Sequence, residues 1–225
     1  MSKIYIAPSI FAADFYNLSR VVKKFEELKV DGIHYDIMDN HFVPNISFGP
    51  KVIEDVATRT EIPAYVHLMI ELNKNPFLGL NPYLKPFVKS IVLHIENERE
   101  LLNKCIGFIK KANKKVGLCI KPATPINSIE DFLDEIDLIL IMSVEPGFSG
   151  REFLAGSLKK IEMTRELVDG RNILIQVDGG INRKNYRDVL KAGANFLVIG
   201  SSFYTDDVEE WITEIRNFEA ILQSA

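Results

Sequence analysis

The chain holds little cysteine: two residues among 225, Cys105 and Cys119, with no C-x-x-C spacing between them. One falls in an amphipathic helical pattern and the other in a strand-like run. Both are expected as buried core thiols rather than a disulfide, which suits a reducing, cytoplasmic setting. Long apolar runs are missing as well. No stretch reaches the roughly 18 residues of a membrane span, and the opening Met1-Ser2-Lys3-Ile4-Tyr5-Ile6-Ala7-Pro8 has no leader-like apolar core. Basic charge is not in surplus, since 27 Lys and Arg face 31 Asp and Glu. These cations are scattered along amphipathic segments, so nucleic acid is not an expected partner. Linkers and low-complexity tracts are absent, and residues 1–225 are expected to form a single domain. The G-x-G-x-x-G dinucleotide fingerprint is absent too.

What is present is a chain 47% hydrophobic, enough for a large core. Runs rich in Val, Ile and Leu fall at 4–8, 32–38, 64–69, 90–95, 116–120, 138–142, 173–177 and 196–199. Such runs suit strands covered on both faces. Amphipathic segments lie between them: Leu18, Val21, Val22, Phe25 and Leu28 follow helical spacing, as do Trp211, Ile212, Ile215, Phe218 and Leu222. Asn17 and Asn182 stand where they can cap helices. Eight strand–helix units in this length predict a closed (β/α)8 TIM barrel, with an open doubly wound sheet as the alternative. Residues 71–87 contain Pro76, Pro82 and Pro86, which no unbroken third helix can pass through. Short helical pieces and a loop are expected there, serving as a structural irregularity, an interface or a moving lid.

Chemistry-bearing residues gather at the strand ends. In a strand, residues two apart face the same way, so His34, Asp36 and Met38 share one face, and His67 and Met69 another. Asp178 closes the seventh run. A lone strand-end histidine is commonly a hydrogen-bonded core residue, and a lone aspartate commonly caps the next helix. Two imidazoles and two carboxylates converging on one cavity instead make a divalent metal site. Met38, Met69 and Met142 would wall that cavity with apolar groups, or simply pack the core. His41 and His94 are read as supporting or structural.

The later strands end in glycine-rich turns: Glu145-Pro146-Gly147-Phe148-Ser149-Gly150 after the sixth, Gly179-Gly180 after the seventh, and Gly200-Ser201-Ser202 after the eighth. Glycine lets backbone N–H groups approach an anion closely, and helix N-termini add a favourable dipole. Tight turns need glycine anyway, but three in succession opposite a metal site point to a small phosphorylated substrate.

Taken together, Ala7-Pro8-Ser9-Ile10, Ala13-Asp14-Phe15, the His34-to-Asn45 string with Met38-Asp39-Asn40-His41-Phe42-Val43-Pro44-Asn45, Phe48-Gly49-Pro50, Val66-His67-Leu68-Met69, Met142-Ser143-Val144-Glu145-Pro146-Gly147-Phe148 and Val177-Asp178-Gly179-Gly180 resemble the ribulose-phosphate 3-epimerase family over essentially the whole chain. The resemblance implies a ribulose-phosphate-binding (β/α)8 barrel that interconverts D-ribulose 5-phosphate and D-xylulose 5-phosphate in the pentose phosphate pathway through a metal-stabilised enediolate. It implies a divalent cation (zinc, iron, manganese, cobalt or magnesium) on His34, Asp36, His67 and Asp178, with Asp36 as proton acceptor and Asp178 as proton donor. It assigns substrate contacts to Ser9, His67, the turn of Gly147, Phe148, Ser149 and Gly150, then Asp178, Gly179, Gly180, Gly200 and Ser201. It also implies a homo-oligomer.

Several positions depart from the family pattern. Asn40 replaces a glycine but tolerates left-handed backbone. Ser149 would be strained if its φ were positive. Arg151 would either add charge near the phosphate turns or face solvent. Ser202 replaces an alanine, and Lys121 occurs in some branches where others have asparagine. Three alternatives remain: a 3-epimerase for a related ketose phosphate such as D-allulose 6-phosphate, a metal-free lyase of the sugar-phosphate decarboxylase kind, and a sugar-phosphate-binding barrel without turnover. No Asp-x-Lys-x-x-Asp string supports the second. Asp36 and Asp178 argue against the third.

Overall fold

The computed structural model describes residues 3–72 and 79–224. Eight parallel strands form one sheet: β1 (Tyr5–Pro8), β2 (Ile33–Met38), β3 (Ala64–Met69), β4 (Val88–His94), β5 (Lys115–Ile120), β6 (Leu138–Met142), β7 (Leu174–Asp178) and β8 (Phe196–Ile199). Among the described residues, six complete α-helices accompany them: α1 (Leu18–Glu27), α2 (Pro50–Ala57), α3 (Arg99–Lys111), α4 (Gly156–Leu167), α5 (Tyr186–Lys191) and α6 (Val208–Ser224).

The sheet runs β1-β8-β7-β6-β5-β4-β3-β2, and a parallel bridge from Ser9 to His34 brings its two ends together. This is the TIM barrel expected from the alternating pattern. Asp31 reinforces the seam: its carboxylate accepts the Ile6 N–H at 2.9 Å, and the Asp31 N–H donates to Ile6 O. Arg216 on α6 reaches Asp31 at 2.6 Å, so the last helix is fastened to the closing strands.

Strand residues alternate between the barrel interior and the layer beneath the helices. Phe25, Ile53, Ile106, Ile161, Val189 and Ile215 bury the helix faces in the outer layer, within the same core as Ile6, Tyr35 and Val66. The interior holds Val92, Cys119, Leu138, Leu140 and Met142. Both cysteines are free and buried. No helix among the described residues is long and apolar enough to cross a membrane.

Some local expectations shift. β7 ends one residue later than the sequence run, so Asp178 pairs within the ladder with Met142 and Val198 and its backbone is held on both sides. The connection from β5 to β6 carries a 3-10 helix, Ile126–Phe132, in place of an α-helix. In the proline-rich stretch the described part forms a 3-10 helix at Asn81–Tyr83. Pro76 lies outside the described residues. Asn17 precedes α1 but makes no capping bond, and its side chain donates to Asp14 instead. Asn182 accepts the Lys184 N–H at 2.9 Å, while Asn185 stands directly before α5.

Candidate active site and metal centre

His34 and Asp36 point into the barrel from β2, and register pairs Asp36 with His67 on β3. Asp178 enters from β7 across the barrel. Asp36 Oδ1 sits 3.1 Å from His34 Nε2 and 3.1 Å from His67 Nδ1. Asp178 Oδ2 lies 3.5 Å from the first of these nitrogens and 3.6 Å from the second. One donor atom from each of the four residues falls within 4.8 Å of all the others. The two histidines are fully buried and Asp36 nearly so.

Such a cluster dominates its own electrostatics. Burial pulls the His34 imidazole down, but the Asp36 and Asp178 carboxylates overcome it and raise the group to about 10. His67 is likewise held well above its usual value: burial lowers it, but Cys119 together with the Asp178 and Asp36 carboxylates outweighs burial. Burial pushes Asp36 up, yet its two histidine neighbours bring the carboxyl below the ordinary range. A divalent cation suits this set. It would supply the positive charge that protonated imidazoles supply without it, and two nitrogens with two carboxylate oxygens form a familiar donor set for zinc, iron, manganese or cobalt.

The Asp36 carboxylate and the Asp178 backbone are separately anchored. Ser9 Oγ donates to Asp36 Oδ2 at 2.6 Å while accepting the Phe11 N–H at 3.2 Å. The Tyr204 hydroxyl donates to Ser9 O at 2.7 Å. Beyond β7, Ser143 Oγ lies 2.9 Å from Asp178 O and 2.6 Å from Gly179 O, and the Ser143 N–H also donates to Asp178 O. The strand end that carries Asp178 is thus tied to β6.

A cleft opens above the cluster. Asp36, Asp178, Ser9, Met38, Met69 and Met142 line its floor, and the turns at 147–150, 179–180 and 200–202 line its far wall. Of the residues named from the sequence, His34 and His67 are absent from the lining; they stand behind the carboxylates. Met38 and Met69 pack with Val43, Phe11 and Phe42 over the cluster.

The wall turns require glycine. Gly180 has φ +64°, and a Cβ there would meet Phe153 N at 2.5 Å. Gly179 has φ +119°, with Val144 as close. Asn40 does adopt a left-handed φ of +60°, whereas Ser149 has no positive φ and carries no such strain. Asn45 Nδ2 donates to Gly147 O at 2.7 Å, joining the β2 and β6 loops. Arg151 is exposed, lines the cleft rim and lies over the Phe148 ring. Ser202 also lines the cleft. Lys121 lies 3.8 Å above the Phe42 ring. His41 is exposed, and its loop is held by Asp39, whose carboxylate accepts the His41, Phe42 and Glu71 N–H groups.

Sequence reasoning missed Glu96 and gave Ser143 no role. His94 Nε2 lies 2.9 Å from His67 Nε2, and Glu96 Oε2 lies 3.0 Å from His94 Nδ1. Burial holds His94 down to about 4, and His94, Thr124 and the Lys121 N–H outweigh burial to hold Glu96 at about 2. The two-residue spacing of His94 and Glu96 at the end of β4 was the available signal.

Fold and site together define a TIM-barrel enzyme with an acid–base cluster at the C-terminal strand ends and a turn-lined cleft above it. The model of the ribulose-phosphate 3 epimerase family matches residues 5–204. A ribulose-phosphate 3-epimerase of Bacillus subtilis is 40% identical over 217 residues, spanning 95% of this chain and 98% of that one. A chloroplastic ribulose-5-phosphate-3-epimerase of Arabidopsis thaliana is 39% identical, spanning 96% and 77%. The chain belongs to the ribulose-phosphate 3-epimerase family, a family of isomerases. Among solved structures, 3-hexulose-6-phosphate synthase of Salmonella typhimurium superposes with TM-score 0.72 at 15% identity, covering 96% of this chain and 99% of that one. The 3-keto-L-gulonate-6-phosphate decarboxylase of Vibrio cholerae gives TM-score 0.71 at 10% identity, covering 98% of each chain. These two show the shared barrel alone.

Proposed function

We propose that this chain interconverts D-ribulose 5-phosphate and D-xylulose 5-phosphate by two-base proton transfer, with Asp36 as acceptor and Asp178 as donor. The observation that carries the reading is the placement of these two carboxylates on β2 and β7, bridged by His34 and His67, in one cleft. Inverting a carbon beside a ketone needs its proton removed from one face and another returned to the opposite face. Two carboxylates entering from different strands can do this without turning the intermediate over.

His34, Asp36, His67 and Asp178 would hold a divalent cation. When bound, it supplies Lewis-acid stabilisation of the negative charge that develops on the ketone oxygen, worth several kcal/mol. Asp36 is kept in its accepting form by its neighbours and aimed by Ser9. The methionine wall limits water around the exchanged proton. The glycine turns offer N–H groups to the phosphate, whose binding holds the sugar in register over both carboxylates. A homo-oligomer and a cytoplasmic setting belong to the same reading. The exposed Phe15, Tyr16 and Ile46 support self-association, and sedimentation velocity reads it directly.

A coupled assay on D-ribulose 5-phosphate tests the proposal. Turnover should vanish after chelation and return on adding zinc, manganese, cobalt or iron. Full turnover in the stripped protein would contradict the metal assignment. Faster turnover of D-allulose 6-phosphate would reassign the substrate.

A further inference from the structure

A chain of hydrogen bonds leads from the acid–base cluster through the barrel wall and ends on a carboxylate. His67 presents Nδ1 to Asp36 at 3.1 Å, and its Nε2 lies 2.9 Å from His94 Nε2. The two rings are 21° from coplanar with centroids 5.0 Å apart. That separation exceeds the N–N distance by about two ring radii, so the nitrogens meet edge to edge along their lone-pair axes. His94 Nδ1 lies 3.0 Å from Glu96 Oε2. Glu96 Oε1 accepts the Lys121 N–H at 2.8 Å and the Thr124 hydroxyl. Lys160 Nζ holds that loop by donating to the carbonyls of Lys121, Pro122 and Thr124.

The proton positions follow from these contacts. An ionised carboxylate only accepts, so His94 carries its proton on Nδ1. Its Nε2 is therefore an acceptor, and His67 Nε2 must be the donor. Both rings are fully buried, so water offers no substitute partner. Once His67 gives up its second proton, as cation binding requires, the lone pair that remains is on Nδ1, toward Asp36 and Asp178. His34 has no such support, for its Nδ1 finds no partner among the described residues.

We propose that His94 and Glu96 are positioning residues that fix the tautomer of His67 and keep its Nδ1 available to a divalent cation. The consequence for the cation rests on the metal reading above; the tautomer assignment does not. His67, His94 and Cys119 also form a compact trio, but a second cation there fits poorly. Two nitrogens about 2.0–2.1 Å from one tetrahedral zinc stand roughly 3.3 Å apart and both need free lone pairs. The 2.9 Å separation, with a carboxylate behind one ring, matches a shared proton.

The isosteric change Glu96→Gln inverts the chain. The Lys121 N–H can only donate, so the amide oxygen must take the Oε1 position. The amide NH2 then faces His94 Nδ1, forces the His94 proton onto Nε2, and removes the nitrogen acceptor of His67, leaving only the weakly accepting Cys119 sulfur beside it. Glu96→Ala leaves room for water at the partly exposed Glu96 site and forces neither tautomer.

The test uses the full chain, with histidine 15N shifts of the metal-free protein, Zn2+ titration against a chromophoric chelator, and circular dichroism to check folding. In wild type the His94 proton should sit on Nδ1, and in E96Q on Nε2. Zn2+ affinity should fall about 10–100-fold in E96Q and less in E96A. A purely structural role predicts the opposite order, because Gln preserves the packing that Ala removes. An unmoved His94 proton in E96Q, or weaker Zn2+ binding by E96A than by E96Q, would overturn the proposal. If wild type takes up no Zn2+, the metal reading fails, while the position of the His94 proton still decides the tautomer assignment.

Discussion

At the scale of single residues, the site depends on how charge is shared among two histidines and two aspartates. Replacing Asp178 by Asn keeps the size and removes the proton donor. The expected result is an intact fold with kcat lower by about 10²–10⁴-fold, measured by the coupled assay; near-normal turnover would take Asp178 out of the reaction. The raised histidines make a second prediction. The Asp36 and Asp178 carboxylates raise His34 to about 10, so its imidazole is protonated at neutral pH in the metal-free chain, and His67 is shifted in the same direction. Cations bind neutral imidazole. Zn2+ uptake should therefore release protons into a weakly buffered indicator solution, and apparent affinity should climb from pH 6 to 9; uptake without proton release would contradict this. The sign for stability follows from the same shift. A raised histidine stabilises fully below its unfolded value of about 6.5 and loses that contribution as pH approaches about 10. Denaturant midpoints of the metal-free chain should fall across that window.

At the scale of elements, the strand ends and their turns place the chemistry. Most strands were legible because Val, Ile and Leu runs covered on both faces leave few other arrangements. The four cluster residues were legible because side chains alternate along a strand: His34-x-Asp36 must share a face. What escaped notice depended on contacts between strands distant in sequence. Glu96 reaches His67 only through His94, and the helical link expected after β5 is a 3-10 helix, which leaves little trace in a hydrophobic pattern. The β7 turn is the element most constrained by backbone. Gly180→Ala adds a Cβ against Phe153 N at a positive φ. It should cost about 1–3 kcal/mol, read by urea denaturation, and raise KM as the phosphate wall shifts. Unchanged stability and KM would show that the turn absorbs the side chain.

At the scale of the whole molecule, closure of the barrel brings β2 and β7 to bear on one cleft. The sequence announced a closed barrel through its count of alternating units, but not the fastening. Asp31 accepts Ile6 N–H and holds Arg216 of α6 across nearly the full chain length. Asp31→Ala breaks a buried carboxylate out of that seam and should cost about 1.5–3 kcal/mol, the usual worth of a hydrogen bond to a charged group. Denaturation checks the cost, and a fall in activity beyond it would show that seam and site move together. The central claim is that two carboxylates exchange the proton beside the ketone. Epimerisation of D-ribulose 5-phosphate in D2O with the metal-replete chain, followed by NMR of the product, tests it most directly. The account predicts D-xylulose 5-phosphate bearing solvent deuterium at the inverted carbon; product formed without deuterium there, or no epimer at all, would contradict it.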